Sequence, residues 1–92
     1  MTTVLFRITG ERGAESAVPW ISHRAKILDL KGWVARKTPS QIDVLLAGPE
    51  PLIEAMEVAC SLGPGDVLVE QIEWLSPPTQ AVPTEFKIMP PT

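Results

Sequence analysis

A chain of 92 residues is too short for two ordinary domains and is read here as a single domain over residues 1–92. Apolar residues make up 45% of it and charged residues 21%, a globular mix rather than a disordered one. The net charge of −3 and a pI near 5.0 exclude a non-specific nucleic-acid binder, which needs a basic face, and the eight Lys and Arg form no local cluster that would restore one.

Cys60 is the single cysteine, so neither an internal disulfide nor a multi-cysteine metal site can form, and no metal or cofactor is expected. Its setting, Glu57-Val58-Ala59-Cys60-Ser61-Leu62, reads as the end of an amphipathic helix with the thiol as a small buried hydrophobe. Met1-Thr2-Thr3 lacks the basic start and apolar run of a signal peptide. No apolar stretch approaches the ~20 residues that cross a bilayer. Cytoplasm is therefore the expected location, with no membrane partner.

Thr3 to Thr9 alternates, with Val4, Phe6 and Ile8 on one face, which predicts a half-buried strand. Gly10 to Glu15 breaks the pattern and is expected to be a loop. Ser16 is expected to cap the first helix, with Pro19 tolerated only in its first turn. Val18, Ile21, Ala25 and Leu28 recur at spacings of three and four and give that helix its apolar stripe. His23, Arg24 and Lys26 fall off the stripe and face water.

Lys31 to Lys37 reads as a second strand, Thr38-Pro39-Ser40 as a turn, and Gln41 to Ala47 as a third strand through Ile42, Val44 and Leu46. The short connection makes a hairpin. Gly48-Pro49-Glu50-Pro51 stops that strand and starts a second helix, with Leu52, Met56 and Ala59, flanked by Ile53 and Cys60, on its apolar side. Gly63-Pro64-Gly65 ends the helix. Asp66 to Leu75 is a fourth strand carrying Ile72 and Trp74 on one face. Ser76 to Pro83 is a proline-rich connection, Thr84 to Met89 a short last strand through Phe86 and Ile88, and the residues from Pro90 a frayed tail. Trp33 and Trp74 are expected to pack; Trp20 would mark a contact surface if exposed.

Right-handed crossovers place both helices on one face of the sheet. The expected architecture is thus α+β: a ferredoxin-like βαββαβ sandwich on an antiparallel sheet, with a short extra C-terminal strand. That order alone implies no function.

Particular residues go further. Gly10, Ala25, Leu28-Asp29-Leu30-Lys31-Gly32-Trp33-Val34, Ile42-Asp43-Val44 and Gly48 follow one another in a pattern that resembles the acylphosphatase family. That family's pattern runs from a strand ending in glycine, through Val-Gln-Gly-Val-x-Phe-Arg, to Ala-x-x-Leu-Gly-x-x-Gly-Trp-Val-x-Asn. Gly63-Pro64 before Val69 to Trp74, and Thr84 to Ile88, fit its later segments, so the resemblance covers nearly the whole chain.

The resemblance implies hydrolysis of acyl phosphates, with the phosphate held by backbone N–H groups at a helix start and gripped by one arginine. An asparagine on the neighbouring hairpin orients the attacking water. In this sequence the arginine position is Val18, the preceding phenylalanine position is Ala17, and the asparagine position is Arg36. The segment Val-Gln-Gly-Val is Arg12-Gly13-Ala14-Glu15. Val18 can neither donate a hydrogen bond nor carry charge, and an arginine cannot accept a hydrogen bond to orient water as the asparagine does. Glu11 and Glu15 add negative charge where a phosphate would sit.

No catalytic residue is assigned on this pattern. The anion-binding candidates are Gly10, Arg12, Gly13, Ala14 and Arg36, with Arg12 and Arg36 either rebuilding an anion site or lying solvated and offset by Glu11 and Glu15. Arg24, beside Ala25, is about two turns from the family position and substitutes poorly. His23 and the pair Glu54 and Glu57 read as solvated helix faces. The expected function is a binding or regulatory module without acyl-phosphate hydrolase activity, engaging a small anionic ligand or a protein partner. The alternative is an atypical acylphosphatase with a rebuilt anion site.

Overall fold

The computed structural model describes residues 2–12, 14–62, 68–79 and 81–90, with only the backbone described for Glu11, Arg12, Ala14, Glu15 and Leu68. Its elements in chain order are β1 (Thr2–Arg12), α1 (Ala14–Ile27), β2 (Lys31–Thr38), β3 (Gln41–Gly48), α2 (Glu50–Leu62), β4 (Leu68–Leu75) and β5 (Phe86–Ile88). The sheet order is β4-β1-β3-β2-β5. β1 pairs antiparallel with both β3 and β4, and β2 antiparallel with β3, as a βαββαβ chain requires. β5 runs parallel to β2, from Gly32 opposite Phe86 to Val34 opposite Ile88, so the sheet is mixed at that one edge.

The alternation read from the sequence decides which face carries the helices. Val4, Phe6 and Ile8 of β1 stand beside Ile42, Val44 and Leu46 of β3 and Val34 of β2. They pack against Ala17, Ile21 and Ala25 of α1 and Ile53, Met56 and Cys60 of α2 in one apolar cluster. Removing a side chain such as Phe6 from water contributes about 2–3 kcal/mol before entropy is subtracted. On α2 the innermost residues are Ile53, Met56 and Cys60 rather than Leu52 and Ala59, a rotation of about one position about the axis. Pro49 caps this helix with its carbonyl, which accepts from Leu52 N at 3.0 Å and Ile53 N at 3.2 Å.

The opposite face of the sheet is drier than alternation suggests. Leu45 is buried in register between Leu5 and Trp33, two half-buried side chains. Asp43 is buried on this face too, and its Oδ1 accepts from Arg7 Nε at 3.4 Å and Gln41 Nε2 at 3.3 Å.

Helix α1 differs most from the sequence reading. It begins at Ala14, so Ser16 lies inside it and not at its cap, and the expected loop from Gly10 to Glu15 is divided between β1 and α1. Pro19 therefore sits beyond the first turn, where the missing N–H leaves one helical bond unmade. The Pro19 ring itself is exposed on the outer side of the helix. The buried stripe runs through Ala17, Ile21 and Ala25, with Val18 and Leu28 only partly covered.

The helix ends in a Schellman turn. Leu30 N donates to the Ala25 carbonyl at 2.9 Å and Asp29 N to the Lys26 carbonyl at 3.0 Å. Asp29 takes the left-handed conformation at φ 57°, and buried Leu30 closes the turn apolar side down. This is where the acylphosphatase pattern has the glycine of Leu-Gly; aspartate is among the few other residues that tolerate it. Gly32, by contrast, has no substitute: at φ 135° a Cβ would lie 1.9 Å from the Leu45 carbonyl oxygen. At Gly48 a Cβ would meet the side chain of Leu30 at 2.6 Å. Gly13, the Gly63-Pro64-Gly65 stop and the start of the strand expected from Asp66 lie outside the described residues.

Candidate functional site

One end of the sheet gathers the segments on which a site was expected. β1 finishes there at Arg12 and passes into α1 at Ala14, and the β2–β3 turn at Pro39 and Ser40 lies alongside. Gly10 N donates to the Ser40 carbonyl at 2.9 Å and ties the two segments together. The amide of Gly10 is thereby committed to the hairpin and is not a free donor for an anion. Thr38 Oγ1 accepts from Ser40 N at 3.2 Å and shares a hydrogen bond with Ser40 Oγ at 3.3 Å, which fixes the turn.

Arg36 is half-buried on β2 opposite Ile42, two residues beyond Val34 and hence on the helix-bearing face. It faces the side of the sheet on which α1 begins, at the same end. Arg12 is the last residue of β1 and Ala14 the first of α1. The first amides of a helix lack intrahelical partners and carry its positive dipole end. The candidate Gly13, between them, is outside the described residues, as are the side chains of Arg12, Glu11 and Glu15.

Val18 packs against the apolar cluster, and Ala17 beside it is 4% exposed. The helix turn in which the family pattern has Phe-Arg is here committed to the core. Val18 supplies contact area but no charge and no donor.

Elsewhere, His23 and Arg24 are exposed on α1, and the Arg24 guanidinium lies 5.4 Å from the Trp20 ring. Trp20 is half-buried against the core, so its ring is not an isolated contact surface. Trp33 is half-buried and Trp74 38% exposed; Trp74 leans on Phe6 with ring centroids 5.1 Å apart. Its Nε1 donates to Glu57 Oε2 at 2.7 Å, which gives Glu57 a role in joining β4 to α2 that the sequence did not signal. Cys60 is buried, and burial, followed by the nearby Glu57 charge, pushes its thiol from an ordinary value of 9.0 up to about 12. It is a packing residue and an inert nucleophile. Among the described residues no group of three His, Cys, Asp or Glu is arranged to hold a metal, and no helix is long and apolar enough to cross a membrane.

Two helices on one face of a βαββαβ sheet, with a β1–α1 junction beside a β2–β3 turn, define the ferredoxin-like class. Comparison with known proteins narrows it. No protein-family model matches the chain. It is 36% identical over 72 residues to an acylphosphatase of Rhodospirillum rubrum, covering 78% of this chain and 79% of that protein. It is 32% identical over 66 residues to acylphosphatase 2 of Ralstonia nicotianae, covering 72% and 70%. The crystal structure of an acylphosphatase from Bacillus subtilis superposes with a TM-score of 0.85 over 97% of this chain and 99% of that one, at 19% identity. The structure of HypF from T. kodakarensis matches with a TM-score of 0.80, over 97% of this chain and 12% of the far longer HypF, at 20% identity. The chain belongs to the acylphosphatase family.

Proposed function

We propose that this chain is an acylphosphatase-family domain that does not hydrolyse acyl phosphates by the family's chemistry and acts, in the cytoplasm, as a binding or regulatory module. The observation that carries this reading is Val18, an apolar side chain packed on the core where the family pattern has its phosphate-gripping arginine. Arg36 at the asparagine position reinforces it, because a guanidinium has no acceptor with which to hold a nucleophilic water.

A second reading has one observation in its favour. Arg36 lies on the helix-bearing face at the end of the sheet where α1 starts, so a guanidinium and helix-start amides share a region. In that reading Arg36 and Arg12 hold a small anion, Gly13 and Ala14 offer amides, and Gly10 fixes the junction through Ser40. The same anchoring would serve an atypical hydrolase of carboxyl-phosphate bonds.

An assay with an aryl acyl phosphate on the intact chain separates the two. We expect turnover no faster than buffer for the native chain and a gain of activity for the Val18→Arg, Arg36→Asn double variant. Native turnover that disappears in Arg36→Ala or Arg12→Ala would establish the atypical hydrolase instead. An NMR titration with inorganic phosphate tests anion binding separately; no movement of any amide from Gly10 to Val18 would remove it.

A further inference from the structure

We propose that the outer edge of β4, together with the flank of α2 above it, receives a basic extended segment of a partner protein as an added strand. Among the described residues β4 pairs only with β1, so one of its edges presents unpaired backbone donors and acceptors. Such an edge is a template for strand addition, with the ladder supplying affinity and the flanking side chains supplying choice.

Charge makes that choice. No Lys or Arg occurs between Lys37 and Lys87, a stretch that contains all of α2 and β4. Glu50, Glu54 and Glu57 recur at spacings of four and three, so they share one stripe of α2. The bond from Trp74 Nε1 to Glu57 fixes that stripe on the β4 side. Exposed Glu70 and Glu73 continue the acidic border along the strand itself. Five glutamates thus frame one open edge; Arg7 of β1 stands opposite Glu73 but is paired with Asp43 at 3.4 Å, so the border stays acidic.

The same frame selects against the other occupants. Two β4 edges brought together would oppose their own glutamates, which disfavours self-pairing. Nucleic acid would meet the wrong sign of charge. The ladder with β1 is irregular near Val69 to Gln71 and regular from Ile72 to Leu75, so the added strand aligns along the latter stretch. There it meets the exposed part of Trp74, an apolar contact for one face of the added strand. This names a partner class for the binding module. It does not depend on the loss of hydrolysis, because a turnover assay and a peptide titration succeed or fail separately.

The test is an NMR titration of the full chain with a short synthetic peptide of alternating Lys and Val. The expected shifts centre on the amides of Ile72 to Leu75 and the Trp74 indole N–H. Affinity should fall roughly tenfold in a Glu54→Lys, Glu70→Lys variant. In the unaltered chain it should fall with added salt, which keeps the test independent of that variant's folding. The proposal is overturned by shifts confined to other elements, by equal binding of a Glu-Val peptide, by no binding, or by light scattering that shows the chain alone dimerising through this edge.

Discussion

The β2–β3 hairpin and the β1–α1 junction lie side by side, joined by the hydrogen bond from Gly10 to Ser40, yet they keep the family pattern very unequally. In the hairpin Gly32, Trp33, Val34 and Gly48 all match, and geometry accounts for most of them. Gly32 has a backbone that admits no Cβ, Val34 is fully buried, and Gly48 lies against Leu30. From Arg12 to Val18, and at Arg36, the sequence departs from that pattern. Val18 still packs, as does Ala17, so the scaffold's demand on those positions is met without the chemistry. The contrast is between positions that the fold itself constrains and positions that it does not, and the proposed loss of hydrolysis rests on the second set.

Four measurements put numbers on the chain's structural demands. The largest effect is expected at Gly32→Ala, where backbone strain and the clash with the Leu45 carbonyl should lower unfolding stability by about 3 kcal/mol or more in urea titration. A loss below about 1 kcal/mol would mean that the hairpin yields, and the contrast would collapse.

The next is a pH effect away from both regions. A thiol pKa raised to about 12 in the fold, against about 9 unfolded, means that the native state keeps a proton the unfolded chain releases. The stability linked to Cys60 is complete below about pH 9 and declines as pH rises toward about 12. The loss by pH 10.5 should be on the order of 2 kcal/mol and absent in Cys60→Ala measured against its own neutral-pH value.

Val18→Ala should cost only about 1 kcal/mol, since the side chain is partly covered. A cost as large as that at Gly32 would make the junction as demanding as the hairpin. The smallest effect should be a gain. Asp29→Gly relieves the left-handed residue of the Schellman turn and should raise stability by about 0.5 kcal/mol. Its ion pair with Lys31 at 3.1 Å is exposed and offsets little. An unchanged or lower melting temperature would show that aspartate is held there by more than tolerance.

The sequence alone determined the element order, the helix-bearing face of the sheet and the family. Period-two alternation in β1 and β3, the Lys31-Gly32-Trp33-Val34 run and the proline-marked start of α2 are local signals that survive into the fold. Tertiary structure decided what depends on distant partners. It started α1 at Ala14, two residues ahead of the cap that Ser16 offered, with Ala17, Ile21 and Ala25 packed on the sheet. It laid β5 parallel to β2, a pairing that no periodicity in three residues can announce. It buried Asp43 by lending it Arg7 and Gln41, and it turned Glu57 toward Trp74. The substitutions at Val18 and Arg36 were legible in the pattern. Their arrangement was legible in part: the apolar stripe already put Val18 on the core side of α1, and the folded chain set Arg36 at the end of the sheet where α1 begins.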